Sequence, residues 1–282
     1  MPLSIVRTVA DLRAQVTAWR KAGESVGLVP TMGALHAGHL SLVTLAKTKA
    51  QRVVASVFVN PTQFAPHEDF DAYPRDEAKD AGLLESAGCD LLFAPTVAEM
   101  YAPGFSTTVT VSGVSESLDG AARPGHFAGV ATVVSKLLLQ CGPHVAVFGE
   151  KDYQQLQVIK RLVADLDIPV EVIGAPTARA DDGLALSSRN AYLTPAEREA
   201  APSLAAALRD AVERLRDGVA VDRVENTGRA AMERAGFSRI DYFEVRDASS
   251  LTHLGPGPIT GPARILAAGI LGKTRLIDNM AV

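Results

Sequence analysis

Short β-branched runs alternate with helical periodicity through the first two-thirds of the chain. "SVGLVP" (25–30) reads as a buried strand, and "HLSLVTLAKTKA" (39–50) as a helix whose apolar positions recur one turn apart. "RVVASVFVN" (52–60) is the next strand, "RDEAKDAGLLESAG" (75–88) a helix stopped by Gly88, and "DLLFAP" (90–95) a strand. The same alternation continues with a helix over 129–140, the strand "HVAVFG" (144–149), the helix "DYQQLQVIKRLVADL" (152–166) and the strand "VEVIGAP" (171–176). Strands separated by crossover helices predict an α/β fold, a doubly wound parallel sheet of Rossmann-like type covered on both faces. Ligands of such sheets sit at the carboxyl ends of the strands. His36 and His39 follow one strand end, Asn60 to Phe64 another, and Gly149 to Asp152 a third, so three distant polar segments are expected on one edge.

The texture changes after residue 177. "TPAEREAAPSLAAALRDAVERLRDG" (194–218) reads as one long helix with Thr194 as N-cap and Pro195 in its first turn. "SRIDYFEVRD" (238–247) alternates as a half-buried strand, and "ARILAAGILGKTRLIDN" (263–279) reads as a hairpin. The expectation is a domain over residues 1–177 and a smaller α+β domain over 178–282, joined by the polar link "PTARADDGLALSSRN" (176–190).

The chain has 282 residues, is 47% hydrophobic and 21% charged, and carries a net charge of −4, with a pI near 5.9. No run of like charges advertises a nucleic-acid surface. Arg7, Asp11 and Arg13 interrupt the N-terminus as a signal peptide, and no apolar stretch reaches membrane-spanning length. Two cysteines without C-x-x-C spacing suit a reducing cytoplasm. These features point to a cytoplasmic protein acting on a small molecule.

The chain has six histidines, and two of them stand three apart in "LVPTMGALHAGHLSLV" (28–43). At the start of a helix, after a glycine-containing loop, they can donate to phosphate oxygens beside free N–H groups. They can equally be packed side chains, or metal ligands if His67, Glu68 or Asp69 joined them, although H-E-x-x-H is absent. A second phosphate-like pattern, "AAGILGKT" (267–274), precedes a strand rather than a helix and reads as a hairpin turn. In "FGEKDYQQL" (148–156), Lys151 can neutralise phosphate charge, and Asp152 can cap the helix or meet Mg²⁺ through water. Gln154 and Gln155 are expected to point to the same edge. "LSSRN" (186–190) offers two hydroxyls and a guanidinium to a polyphosphate, or is a surface loop.

H-x-G-H after the first strand, with a serine- and base-containing loop after the last, resembles the nucleotidyl-transferring superfamily that includes class I aminoacyl-tRNA synthetases. Within it, "PTMGALHAGH", "FVNPTQF", "DAYPR", "RPGHFAGV", "FGEKDYQQL" and "LSSRNAYL" together resemble the pantothenate synthetase (pantoate–β-alanine ligase) family over essentially the whole chain. The resemblance implies ATP-dependent condensation of pantoate with β-alanine through pantoyl adenylate, releasing pyrophosphate and AMP, with Mg²⁺ accompanying ATP. It assigns His36 and His39 to the nucleotide phosphates, with His39 also a proton donor. Met32 and the backbone at Gly33 shape the nucleotide pocket. Gly149 and Leu186 belong to the ATP site, Lys151 and Asp152 flank phosphates and magnesium without a direct protein–metal bond being expected, and Ser187, Ser188 and Arg189 close over the β and γ groups. Gln63 and Gln155 hold pantoate, and Gln63 also lies near β-alanine. Asn60, Tyr73 and Arg123 are candidates for the second substrate and the pocket wall. The smaller domain is implied to be a lid hinged near 177–185, and the assembly a homodimer. Two rival readings differ in product: another H-x-G-H nucleotidylyltransferase would keep the nucleotide on its product, and a non-catalytic sensor would bind ATP without releasing pyrophosphate.

Overall fold

The computed structural model describes residues 3–65 and 70–282. His67, Glu68 and Asp69, the candidates for further metal ligands, lie outside the described residues. In chain order the elements are β1 (Ser4–Val6), α1 (Val9–Lys21), β2 (Val26–Thr31), α2 (Ala37–Lys47), β3 (Arg52–Val57), α3 (Glu77–Ser86), β4 (Leu91–Phe93), α4 (Val97–Met100), α5 (Asp119–Ala122), α6 (His126–Cys141), β5 (Val145–Gly149), α7 (Tyr153–Asp165) and β6 (Glu171–Ala175). They are followed by α8 (Pro195–Ala200), α9 (Ser203–Arg216), α10 (Val221–Arg234), β7 (Phe237–Asp247), β8 (Ala263–Leu271) and β9 (Thr274–Ala281).

The first six strands form a parallel sheet in the order β1-β4-β3-β2-β5-β6. Period-two alternation divides its side chains between two cores. Val26, Leu28, Val54, Leu91 and Phe93 face α1, α6 and α7, whereas Val29, Val53, Ala55 and Leu92 face α2 and α3. Both faces are buried, which is why these strands read as continuous apolar runs. The chain leaves β2 towards β3 on one side and later returns as β5 on the other, in register with Gly27 and Leu28. The order therefore reverses between β2 and β5, and their adjacent carboxyl ends open the crevice where doubly wound sheets take ligands. The sequence reading did not anticipate β1 and α1.

The second sheet is antiparallel, β7-β8-β9, with α9 and α10 packed on one face. The expected long helix over 194–218 is two helices. Thr194 forms a reciprocal capping box with Glu197 and Pro195 opens α8 as expected, but Pro202 supplies no backbone N–H and α9 starts afresh behind it. α10, about four turns long with Val221, Val224 and Met232 buried, is likewise absent from the expected elements. The "AAGILGKT" stretch turns at Gly272–Lys273 between β8 and β9, so it is a hairpin and not a phosphate loop. Gly272 has φ +60°, the left-handed conformation that a tight turn asks of its residue.

Candidate active site

The loop from β2 to α2 is shaped from below by a residue that the sequence did not single out. Asp80 of α3 is 2% exposed. Its two carboxylate oxygens accept from the backbone N–H groups of Ala34 (3.0 Å) and Leu35 (2.8 Å). Gly33 has φ +82°, and a Cβ there would lie 2.9 Å from Asp80 Oδ2, so the turn needs glycine. Gly33 is buried and lines neither cavity described below. In the sequence Asp80 looks like one of several charges on an amphipathic helix.

The two histidines form a reciprocal cap at the start of α2. His36 Nδ1 accepts from Gly38 N (3.1 Å) and His39 Nδ1 accepts from His36 N (3.3 Å). The rings lie 4.2 Å apart between centroids. An imidazole nitrogen that accepts from an amide carries no proton, so both neutral rings have their proton on Nε2. Gly38 has no side chain for the same reason: a Cβ would meet the His36 ring at 2.9 Å. Burial, with the neighbouring Lys151 charge, holds His36 below the ordinary imidazole range. Burial, the other imidazole and Lys151 push His39 down to about 3. At neutral pH each ring therefore offers an Nε2–H hydrogen bond without a charge, which narrows the expectation that His39 is a proton donor.

A direct consequence is measurable. Histidine NMR of the ligand-free protein should show His39 neutral from pH 8 down to pH 5, with His36 protonating below the usual value. Because the unfolded chain takes up these protons near pH 6.5 and folded His39 does not until about 3, stability should fall as pH drops through that interval. Protonation of His39 near pH 6.5 in the free protein would contradict this geometry.

The turn after β3, Pro61–Gln63, is wedged against α6. Asn60 is 1% exposed, and its Nδ2 donates to Gln63 Oε1 (3.0 Å) and Gly129 O (3.2 Å). That bond fixes the flip of the Gln63 amide, leaving Nε2 towards Met32 Sδ at 3.1 Å, a weak acceptor. A Cβ on Gly129 would lie 2.4 Å from Thr62 O, so the close approach of turn and helix depends on that glycine. His126, the first residue of α6, lies in "RPGHFAGV" and is not among the expected site residues. Its Nε2 lies 3.0 Å from Arg123 Nη1 and its Nδ1 lies 2.9 Å from Gln63 O. Arginine only donates, so His126 Nε2 accepts and Nδ1–H donates to Gln63 O. His126 thus links Arg123 to the Gln63 turn.

After β5, Gly149 leads into a short 3-10 turn, Glu150–Asp152, and α7. Asp152 stands at the N-cap of α7 but makes no capping bond, so the reading in which it only caps fails. Its half-exposed carboxylate is 3.9 Å from Lys151 Nζ. Gln154 and Gln155 both line the larger cavity described below, but of the two Gln155 alone also lines the one at the strand ends. Gln154 is buried, donating to Val114 O and Ser117 O and accepting from Asp119 N, which ties down the segment before α5. On the link, Ser187 Oγ caps the turn Ser188–Tyr192 by accepting from Arg189 N (3.3 Å), and Ser188 Oγ lies 3.4 Å from the Tyr73 hydroxyl.

Two cavities meet here. One, of about 230 Å³, lies at the strand ends and is lined by Met32, His36, His39, Asn60, Gln63, Tyr73, Arg123, Gly149, Lys151, Asp152, Gln155 and Leu186 to Arg189. The other, of about 460 Å³, runs beneath the C-terminal sheet and shares Arg123, His126, Lys151, Asp152, Gln155, Ser187 and Arg189. The smaller holds both histidines and so is the centre of the crevice. A switch-point cleft with H-x-G-H at its helix start defines an α/β enzyme of the H-x-G-H nucleotidyl-transferring class.

The profile of the pantoate–β-alanine ligase family matches residues 4–281. Pantothenate synthetase of Caulobacter vibrioides is 65% identical over 99% of this chain and 98% of its own. The crystal structure of pantothenate synthetase from Thermus thermophilus superposes with a TM-score of 0.93 at 49% identity, covering 99% of both chains. The pantoate–β-alanine ligase of Francisella tularensis, solved in complex with β-γ ATP and β-alanine, gives a TM-score of 0.81 at 35% identity over 99% of this chain and 97% of its own. The chain belongs to the pantoate–β-alanine ligase family and is a ligase that joins those two substrates.

Proposed function

We propose that the chain uses ATP to activate pantoate as an acyl adenylate, then transfers the pantoyl group to β-alanine, releasing pyrophosphate in the first step and AMP in the second. The observation that carries this reading is the pair of uncharged Nε2–H donors, His36 and His39, brought to the same crevice as Lys151 and the Ser187–Arg189 turn. The pantoate carboxylate is ionised at neutral pH and needs no base to attack the α-phosphorus. The obstacle is charge, because an anion must approach a polyanion and negative charge shifts onto the departing pyrophosphate. Preorganised donors and cations stabilise that distribution. Met32, Gly149 and Leu186 wall the nucleotide, with Gly33 shaping the turn behind it. Ser187, Ser188 and Arg189 hold the β and γ groups.

Gln63 and Gln155 hold pantoate. Among the described residues Gln63 Nε2 rests only on a thioether, so a substrate oxygen replaces a weak partner by a stronger one. Asn60, Tyr73 and Arg123, with Gln63, line the side where β-alanine enters. Among the described residues no three His, Cys, Asp or Glu side chains group into a metal cage, and polyphosphate oxygens suit Mg²⁺ as ligands. Asp152 is the side chain that would hold the ion, through water, and the ion supplies neutralising charge. The residues beyond 177 act as a cover that keeps water from the adenylate. Among the described residues no helix is long and apolar enough to cross a membrane. Cys89 and Cys141 are buried free thiols, which suits a cytoplasmic enzyme. Family resemblance supports a homodimer.

Isotope exchange tests the order of steps. ATP, Mg²⁺ and pantoate alone should exchange labelled pyrophosphate into ATP, while AMP should accumulate over many turnovers only once β-alanine is added. A pantoate analogue lacking its hydroxyls should exchange poorly, because it leaves buried amides unpaired. Exchange that requires β-alanine, or that any short carboxylic acid supports equally, would refute the pantoyl-adenylate route.

A further inference from the structure

Two of the cationic groups of the cleft, Lys151 and Arg189, come from separate stretches of chain, and neighbouring residues of β9 reach the segment that carries each. Asn279 is 3% exposed. Its Nδ2 donates to Glu150 O (2.9 Å) and Lys151 O (2.8 Å), the carbonyls on either side of the Lys151 residue. Its Oδ1 accepts from Arg264 Nε (2.7 Å), which can only donate, so the orientation of the amide is settled. Arg264 also reaches Glu150 Oε2 (3.0 Å) and lies 4.0 Å over the Tyr153 ring. One residue earlier, Asp278 takes Arg179 through two bonds of 2.6 and 2.9 Å. Arg179 pairs across a bridge with Ala185, at the stem of the Ser187–Arg189 turn.

Lys151 needs such support. Among the described residues its Nζ has only the 3.9 Å approach to Asp152, so where the four-carbon stem starts is set by the backbone that carries it. Two acceptors side by side call for a side chain with two hydrogens on one nitrogen. Of the residues isosteric with asparagine, aspartate has no such hydrogen and leucine has no donor at all.

We propose that Asn279 is a positioning residue for Lys151, so that the C-terminal sheet sets the geometry of the adenylation step as well as covering it. The proposal rests on the reading that Lys151 meets the phosphates. It acts through Lys151, and a double-mutant cycle in full-length enzyme isolates that dependence. Pyrophosphate release with ATP and pantoate is measured for Asn279→Asp, Lys151→Ala and the double variant. Asn279→Asp keeps the shape and the Arg264 partner but loses both donors. Alone it should slow release by about 10–100-fold, the scale of a small misplacement of a catalytic group. In the Lys151→Ala background the same change should cost less than about twofold. Asn279→Ser, which replaces the amide by a single shorter hydroxyl donor, should also slow release and lose its effect in the same background. If either Asn279 change keeps its full factor without Lys151, or leaves turnover normal alone, positioning is refuted while the role of Lys151 stands. Near-normal release by Lys151→Ala would instead sink the reading of Lys151, and the positioning proposal with it.

Discussion

His39→Ala should lower kcat for pyrophosphate release by about 10²–10³, the scale seen when one preorganised donor to developing charge is removed. The ring is held for that purpose: its Nδ1 is occupied by the His36 amide, and its Nε2–H is uncharged at neutral pH. A neutral donor stabilises charge that grows in the transition state without binding ground-state ATP as strongly as a cation would, so KM for ATP should change much less than kcat. Losing the cap should also cost about 1 kcal/mol of stability, which a thermal melt separates from the catalytic loss. Turnover close to that of the unaltered enzyme would remove His39 from the chemistry.

Asp80→Ala should have the largest effect on stability. Two charge-assisted bonds to Ala34 N and Leu35 N disappear, and one part-buried and one buried amide lose their partner. At about 1–3 kcal/mol for each orphaned donor, the loss should be roughly 2–6 kcal/mol. That is a drop in Tm on the order of 5–15 °C for a chain of this size. Ala34 has φ +52°, so a loop released from the carboxylate should relax and carry His36 away from its place. Binding of ATP should weaken even at temperatures where the variant is folded. A variant with unchanged Tm and unchanged ATP affinity would show that the carboxylate is not what holds the loop. Asp80→Asn should retain part of the stability, because its one carbonyl oxygen can serve one of the two amides.

The two residues under test differ in how visible they are in the sequence. His39 was legible because its chemistry is local: a strand end, a glycine and a helix start fall within one short segment, and the spacing of His36 and His39 is that of an N-cap and its third residue. Lys151 and Asp152 stood out as candidates for the same reason, at the end of an apolar run, whereas the serine–arginine turn lies on the polar link and was singled out by the family resemblance. Asp80 was not, because it meets its partners across 45 and 46 positions of chain and its own neighbourhood is an ordinary helix face. His126 shares that fate, since its partner Gln63 lies 63 positions away. Gln154 and Gln155 are adjacent and chemically identical, yet one ties down a neighbouring segment and the other faces the crevice. Helical geometry turns successive side chains by about 100°, and only the packing of α7 decides which direction is open.

Local periodicity therefore determined the parallel sheet, the hairpin at "AAGILGKT" despite its P-loop-like pattern, and the strand ends on which the chemistry sits. Motif composition determined the family. Tertiary structure alone decided which polar groups are spent on the fold and which are left for substrate. It decided the tautomers of His36, His39 and His126, because a tautomer follows from the partner of the other ring nitrogen. It also decided that the C-terminal sheet grips the backbone of Lys151, through Asn279, across 128 positions of chain. Sequence patterns record the environment of a residue within a turn or two, whereas a hydrogen bond between distant segments exists only once the intervening chain has been packed.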